Sequence, residues 1–363
     1  MRYLALAGLL GLSAADLSQA RADSVIVGYY HSDTLVNYAN ASDPVYPSPA
    51  AGGYVTTGVT PEGVGWLMGG PGDLSNVLLV GNPSSGYVEL VNAATGAIID
   101  NKYMTAPGGG SFSSLAGMAL SSNGQDLYIT QSSGSNTGIY EYNTATGKEV
   151  GFVSFADAHD VTFHDGYLYA TAYQSTSTSS EGIWRFNANL TGATQVVAGG
   201  DNGLTHATGM AFNGNTLYVG NVSGSSISSG TGASFVSQYT LSNSGTSATF
   251  DQSFINSTTG QDANYLLNPF GVTYYDGSVY VSSLGNLGND HGQITAINAT
   301  TGDLTDYIPY SNDNQVAPKY ISFESQCVTY SAVPEPASLV LVGLGMAGVG
   351  IHTLIRRRRA VVA

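Results

Sequence analysis

The sequence predicts an all-β chain folded as a ring of four-stranded sheets, and three observations carry that expectation. A five-residue phrase recurs six times. A shorter phrase follows most copies after a tight turn. Those tight turns fall at equivalent points, so short and long connections separate onto opposite ends of the strands.

The clearest copy of the first phrase is Thr208-Gly209-Met210-Ala211-Phe212. The others are Glu62-Gly63-Val64-Gly65-Trp66, Ala116-Gly117-Met118-Ala119-Leu120, His159-Asp160-Val161-Thr162-Phe163, Phe270-Gly271-Val272-Thr273-Tyr274 and Lys319-Tyr320-Ile321-Ser322-Phe323. The third residue is always Val, Met or Ile. The fifth is Leu or aromatic, and the second and fourth are nearly always small. Large and small side chains thus alternate across a strand. Radial stacking needs that pattern, because each sheet buries both faces and large residues settle over small ones next door. The architecture is a β-propeller.

The second phrase reads Leu78-Leu79-Val80-Gly81, Leu127-Tyr128-Ile129-Thr130, Leu168-Tyr169-Ala170-Thr171, Leu217-Tyr218-Val219-Gly220 and Val279-Tyr280-Val281-Ser282. Its centres lie 41 to 62 residues apart, close to the roughly 40–50 residues of a blade. Complete units run over about 61–105, 114–155, 157–198, 206–255 and 268–309. Residues 24–30, 34–38 and 54–57 read as strands with no phrase before them, whereas the phrase at 319–323 has few strands after it. Pairing the two closes a six-bladed ring and removes the free sheet edges. Cys327-Val328-Thr329-Tyr330 has the spacing of a second strand and competes for the 24–30 slot, so seven blades stay open.

First-to-second strand links are tight: Asn123-Gly124, Asp165-Gly166, Asn213-Gly214 and Asp276-Gly277. Such pairs tolerate the positive φ of a two-residue hairpin. The Asn-to-Gly links at 92–96, 143–147 and 298–302 are compact too and share that rim. The other rim carries the long loops 131–138, 173–182, 221–233 and 283–292, with inter-blade loops 107–115, 199–207 and 256–269. Binding is expected there, since long loops on a rigid scaffold are where it usually resides.

Composition narrows the partners. Between Asp23 and Val333, four basic residues (Lys102, Lys148, Arg185 and Lys319) face 23 acidic ones. Such a surface repels phosphate backbones, so nucleic acid is excluded as a partner. Divalent cations and neutral sugars fit better. Cys327 is the single cysteine, so no intrachain disulfide forms.

Both ends read as targeting segments. Residues 1–22 have the shape of a secretory signal: Arg2, an apolar run, and an Ala20-Arg21-Ala22 cleavage site. The expected domain spans 23–332. After it come Pro334-Glu335-Pro336, an apolar run over 339–355, and Arg356-Arg357-Arg358-Arg359. At ~1.5 Å per residue the run spans roughly 26 Å, close to a bilayer core. The arginines belong on the cytoplasmic side.

This three-part end, 333–363, resembles the PEP-CTERM sorting signal. The resemblance implies an exported protein of a Gram-negative bacterium, many of whose relatives accompany exopolysaccharide production. It also implies an exosortase-type membrane protease as partner, a transient transmembrane helix, and release to the cell surface or extracellular matrix. The Gly-Met-Ala-Phe and Leu-Tyr-Val phrases resemble those of NHL, YVTN and gluconolactonase-type propellers.

That second resemblance raises a metal-dependent, lactonase-like hydrolase as the alternative to a non-enzymatic binding protein. Its members hold a divalent cation, such as calcium, at the channel mouth. Candidate ligands here are Glu62 and His159 at first positions of the phrase, Asp160 where Gly is usual, and His206 and Asn268 in the loops just ahead. A buried carboxylate at 160 requires a partner. Hydrogen bonds that tie loops together are the competing role for these five. Asn289-Asp290-His291 reads as solvated surface, and His164 beside Asp165 as a turn residue. Tyr173 is placed to stack on a sugar. No nucleophile elbow, His-Glu-x-x-His or phosphate loop is present, so no catalytic residue is assigned. The leading expectation is a surface or matrix protein that binds a carbohydrate, a cation or another protein through its long-loop face.

Overall fold

A computed structural model describes residues 24–29, 32–39, 53–59, 61–68, 74–134, 136–173, 181–200, 204–222, 234–256, 266, 268–284, 292–308 and 317–331. The expected signal segment, the apolar run 339–355 and Asn289-Asp290-His291 lie outside them. Among the described residues no helix is long and apolar enough to cross a membrane.

Six sheets form six blades. Blade 1 joins β1 (Val25–Tyr29), β2 (Thr34–Tyr38) and β3 (Tyr54–Thr57) to β24 (Pro318–Phe323), in the order β24-β1-β2-β3. Blade 2 holds β4 (Gly63–Met68), β5 (Val77–Asn82), β6 (Tyr87–Asn92) and β7 (Ile98–Met104). Blade 3 holds β8 (Leu115–Leu120), β9 (Asp126–Gln131), β10 (Gly138–Asn143) and β11 (Lys148–Ser154). Blade 4 holds β12 (Ala158–His164), β13 (Tyr167–Ala172), β14 (Gly182–Asn187) and β15 (Thr194–Ala198). Blade 5 holds β16 (Ala207–Asn213), β17 (Thr216–Asn221), β18 (Phe235–Leu241) and β19 (Ala248–Asn256). Blade 6 holds β20 (Pro269–Tyr275), β21 (Ser278–Ser283), β22 (Gln293–Asn298) and β23 (Leu304–Ile308).

The ring closes as the sequence predicts. Val25 faces Phe323, Val27 faces Ile321 and Tyr29 faces Pro318 across an antiparallel pair. Ser24 Oγ donates to the Glu324 carboxylate at 2.9 Å. No seventh blade forms among the described residues. Residues 328–329 make β25 (Val328–Thr329), which pairs parallel with the end of β4. The segment has strand spacing, but the slot beside β24 is already filled by β1, and it crosses beneath the axis instead.

Both repeated phrases have one physical use. The second residue of the second phrase packs on the fifth residue of the first phrase in the next blade. Tyr128 stacks on Phe163 and Tyr218 on Tyr274, while Tyr169 packs tilted on Phe212 and Tyr280 on Phe323, with centroids 4.7 to 6.1 Å apart. Each such pair is worth ~0.5–1.5 kcal/mol beyond the area it buries. Leu79 and Leu120 occupy the same places between blades 2 and 3 and share one core cluster.

The last residue of the second phrase also works across the interface. In blades 3 to 6 the inner strand bulges over the first two residues of its phrase. That bulge leaves a backbone N–H without a ladder partner. Gly117 N–H donates to Thr130 Oγ1 at 2.6 Å, and that hydroxyl donates on to His159 O of the next blade at 2.9 Å. Asp160 N–H, Thr171 Oγ1 and Thr208 O repeat the relay at 3.0 and 2.8 Å. Gly271 N–H, Ser282 Oγ and Lys319 O repeat it at 2.8 and 3.0 Å. In blade 5, where Gly220 has no hydroxyl, Thr208 Oγ1 itself reaches Pro269 O at 2.8 Å.

The tight turns divide. Asp165-Gly166 and Asp276-Gly277 are two-residue loops with both φ values positive, as type I′ requires. Asn213 instead completes its strand opposite Thr216, which moves that loop to Gly214-Asn215. The Asn123-Gly124 link is longer, with Leu120 opposite Leu127.

Thr171→Val removes the relay hydroxyl while keeping the shape. It takes the partner from Asp160 N–H and Thr208 O, at roughly 1–3 kcal/mol for each group stranded. Urea unfolding should show a lower midpoint at unchanged slope. Thr171→Ser should retain most of the stability; equal loss in both variants would contradict the relay.

Candidate functional site at the channel mouth

Bulges in blades 3, 4 and 6 place Ala116, His159 and Phe270 at the top of the axial channel, while Glu62 reaches it from a regular strand. The channel encloses about 310 Å³. Glu62, Ala116, His159, Phe270 and Lys319 line its mouth. Lys319 Nζ donates to Glu62 Oε1, and both side chains are buried, at 8% and 9% exposure. The ammonium also lies over the Phe270 ring, 4.3 Å from its centroid. Burial pushes the Glu62 carboxyl up and the Lys319 ammonium down, and each opposes that shift by holding the other charged.

His159 is 7% exposed and stands 4.9 Å from Phe270 and 5.6 Å from Tyr173, centroid to centroid. Desolvation, with the Lys319 charge adding to it, pushes its imidazole down to about 3, so the ring is neutral. Nothing hydrogen-bonds its Nδ1 among the described residues. Tyr173 continues to His206 at 4.9 Å. His206 N–H donates to Glu181 Oε1 at 2.6 Å, and its Nδ1 lies 3.3 Å from Val222 O.

The five candidates therefore separate. Glu62 and His159 meet at the mouth, and His206 joins through Tyr173. Asn268 is buried, at 1% exposure, at the start of blade 6, and Leu284 N–H donates to its backbone carbonyl at 3.1 Å. Asp160 lies one residue deeper. Its Oδ2 accepts from Met210 N–H of blade 5 at 3.1 Å. The wall around it removes most bulk water, and that desolvation pushes its carboxyl up to about 7.

Lys319 is the residue sequence reasoning missed. It stood in view at a first position, but its partner lies 257 residues away. Its ammonium pairs with Glu62 Oε1, one of the two carboxylate oxygens. Among the described residues no group of three or more His, Cys, Asp or Glu gathers around a common point. The mouth is a hydrogen-bonding and aromatic site with internally balanced charge.

The channel floor also departs from expectation. His164 is no mere turn residue: it lines the cavity and stacks on Phe212 at 4.2 Å. Gln326 and Val328 cross below, so the cavity is a well. Gln326 Nε2 donates to Thr273 Oγ1 at 3.0 Å and to Tyr274 O at 2.9 Å. Tyr330 N–H donates to Met68 O at 2.7 Å, and Ser331 N–H to Asn123 O at 2.9 Å. The chain leaves the folded ring there, on the tight-turn rim. Of the long-loop rim, 174–180, 201–203, 223–233, 257–265 and 285–291 lie outside the described residues.

The segment beyond that exit decides the comparison with known proteins. Residues 332–359 are a PEP-CTERM protein-sorting motif. The PEP-CTERM match covers Pro334-Glu335-Pro336 and all four arginines, and it implies export, membrane-held sorting and processing by an exosortase. No curated protein matches the chain in sequence. Among solved structures, a nidogen/laminin complex contains a chain that is 13% identical, at TM-score 0.56, over 84% of this chain and all of that one. A PQQ-bound aldose sugar dehydrogenase from Streptomyces coelicolor is 17% identical, at TM-score 0.48, over 76% of this chain and 85% of its own. The first likeness is one of fold alone, and nothing rests on the second.

Lys319→Met leaves a buried carboxylate unpaired and should cost about 3–5 kcal/mol, whereas adding Glu62→Met should restore most of it. Thermal or urea unfolding of the single and double variants measures this; equal loss in both would show that the pair is not the cause.

Asp160 titrates near 7 folded and near 3.9 unfolded. The folded state holds the extra proton between those values, so its contribution to stability falls as pH rises from about 4 to 7. Asp160→Asn keeps an oxygen for Met210 N–H and removes the titration. Its unfolding midpoint should therefore drop less than the parent's between about pH 5 and pH 8. A parallel pair of pH profiles would contradict the assignment.

Proposed function

We propose that the chain is an exported propeller that an exosortase-type protease processes at its PEP-CTERM tail, and that it then serves at the cell surface or in the extracellular matrix as a binding protein for polysaccharide. One observation carries the reading. The sorting motif begins one residue after Ser331, which Asn123 and Gln125 pin to the tight-turn rim. While the tail is in the membrane, that rim faces the bilayer. The channel mouth then faces outward, toward the polymers of the cell surface. The excess of acidic residues favours neutral polymers over anionic ones. Tyr173 supplies a ring against which a sugar packs.

Expression of the full chain beside an exosortase should yield a product shortened at its carboxyl end, by intact mass. Replacing Pro334, Glu335 and Pro336 with Ala should leave the chain full-length in the membrane fraction. The shortened product should be retained on polysaccharide from the producing cell's surface. Identical processing of both chains, or free passage over every such polysaccharide, would sink the corresponding half of the reading.

A further inference from the structure

Exposed apolar side chains are not spread evenly round the ring. Among the described residues the large ones are Val55, Met68, Ile98, Ile99, Val150 and Phe152, and all stand in blades 1 to 3. Met68 ends the inner strand of blade 2, and the others are on the outer strands β3, β7 and β11. Hydrogen bonds join those strands along the perimeter. Thr56 Oγ1 of β3 donates to Gly96 O, just ahead of β7, at 2.8 Å. Tyr103 Oη of β7 donates to Thr144 O, in the link that leads into β11, at 2.5 Å. The links at 92–96 and 143–147 belong to the tight-turn rim, so Ile98, Ile99 and Val150 follow them at that end of the ring. The tail leaves at the same place. Tyr330 N–H is bonded to Met68 O of blade 2, and Ser331 N–H to Asn123 O of blade 3. Across blade 2 the ladder runs from Leu67 through Val77 to Asn92, with Val91 opposite Ile98. At ~4.8 Å between strands, Ile98 lies roughly 15 Å from β4. Charge also balances here. β7 and β11 carry Lys102 and Lys148 beside Asp100 and Glu149, all exposed, in a domain where four basic residues face 23 acidic ones.

We propose that this corner of the rim, on blades 1 to 3, rests on the bilayer while the tail is held in it, with Val55, Ile98, Ile99 and Val150 at the headgroup boundary. The proposal rests on the membrane-held sorting step described above. Seven residues, 332–338, separate Ser331 from the apolar run that begins at 339. Fully extended they reach roughly 25 Å, so a tail in the bilayer keeps this rim at its surface. The tether supplies a high effective concentration. A few apolar side chains then suffice to set the orientation, as they do for interfacial anchors. A soluble protein partner has no tether and needs a larger continuous interface. The balanced charge lets the corner approach an anionic leaflet, which repels the acidic remainder of the domain. Docking also serves the processing step. It holds Ser331 at the bilayer surface, and Pro334-Glu335-Pro336, three to five residues on, with it. The contact ends with the cut, because the apolar side chains lose their tether.

The test uses the full chain with Cys327→Ser, which removes the single cysteine, and one new cysteine that carries the fluorophore NBD. Ile99→Cys and Val150→Cys place the label in the corner. Thr249→Cys and Thr305→Cys place it on the outer strands of blades 5 and 6, and all four positions are exposed. Each chain is inserted by its tail into phosphatidylcholine vesicles that contain a phospholipid spin-labelled near its headgroup. Flotation with the vesicles reads the insertion of the tail. In floated chains, blue-shifted emission and spin-label quenching are expected at positions 99 and 150 and at neither 249 nor 305. Adding Val55→Ser and Ile98→Ser should weaken the quenching at position 150 with thermal unfolding unchanged. Chains that float but show equal signals at all four positions, or none at 99 and 150, would overturn the proposal alone. A blue shift that fades as the protein is diluted in lipid would also overturn it, by giving the surface to a second copy of the chain. Chains that fail to float would overturn the sorting reading and this proposal with it.

Discussion

Six inner strands must crowd around one axis, and that crowding decides what can stand at each place. A Cβ on Gly117 would lie 2.7 Å from Asp160 Cα and 2.9 Å from His159 O. One on Gly209 would lie 2.4 Å from Phe270 O. These neighbours are backbone and cannot swing aside, so glycine here is a matter of space. In blades 3 to 6 the inner strand gives up its regular ladder at the first two residues of the phrase. The bulge leaves one N–H over, and the Thr or Ser hydroxyl of the adjoining strand carries that N–H's hydrogen bond into the next blade.

Two places break the small-residue rule, and they stand three blades apart. Asp160 and Tyr320 occupy the second position, yet both do what glycine does by other means. Each reaches the third residue of the next inner strand: Asp160 accepts from Met210 N–H, and Tyr320 Oη donates to Val64 O at 2.8 Å. At these two places a side chain bridges adjacent inner strands with a hydrogen bond. The polar groups of the channel arise from this. The same two blades carry His159 and Lys319 one residue higher, at the bulge. Glu62 completes the mouth from blade 2, where the second position is glycine. Asp160 also adds to the upward push on the Tyr320 phenol, which burial begins.

Much of this was legible because it repeats. The alternation Gly-Met-Ala-Phe states which side chains face a neighbouring blade, and the Leu-Tyr-Val phrase states what meets them. Ring closure was legible because strands without an opening phrase and a phrase without strands need one another. Contact between unlike positions far apart in the chain stayed hidden. Lys319 shows no local sign of its bond to Glu62, since a linear order of residues does not say which of them meet at an axis. The strap misled for a related reason: Val328-Thr329 has strand character, and only the occupation of the blade 1 slot by residues 25–29 sends it elsewhere. The turn at Asn213-Gly214 slipped by one residue because Asn213 can end a strand as readily as begin a turn.

That strap joins the fold to the tail. Residues 318–331 supply the last inner strand, the floor of the well and the point of exit in one continuous stretch. The bonds that place the exit run from Tyr330 to Met68 and from Ser331 to Asn123, in blades 2 and 3. In the other direction, every described strand and every bond of the strap ends at or before Ser331. A cut anywhere beyond it removes none of them. The described contacts that hold the propeller together therefore all lie on the propeller side of the sorting segment.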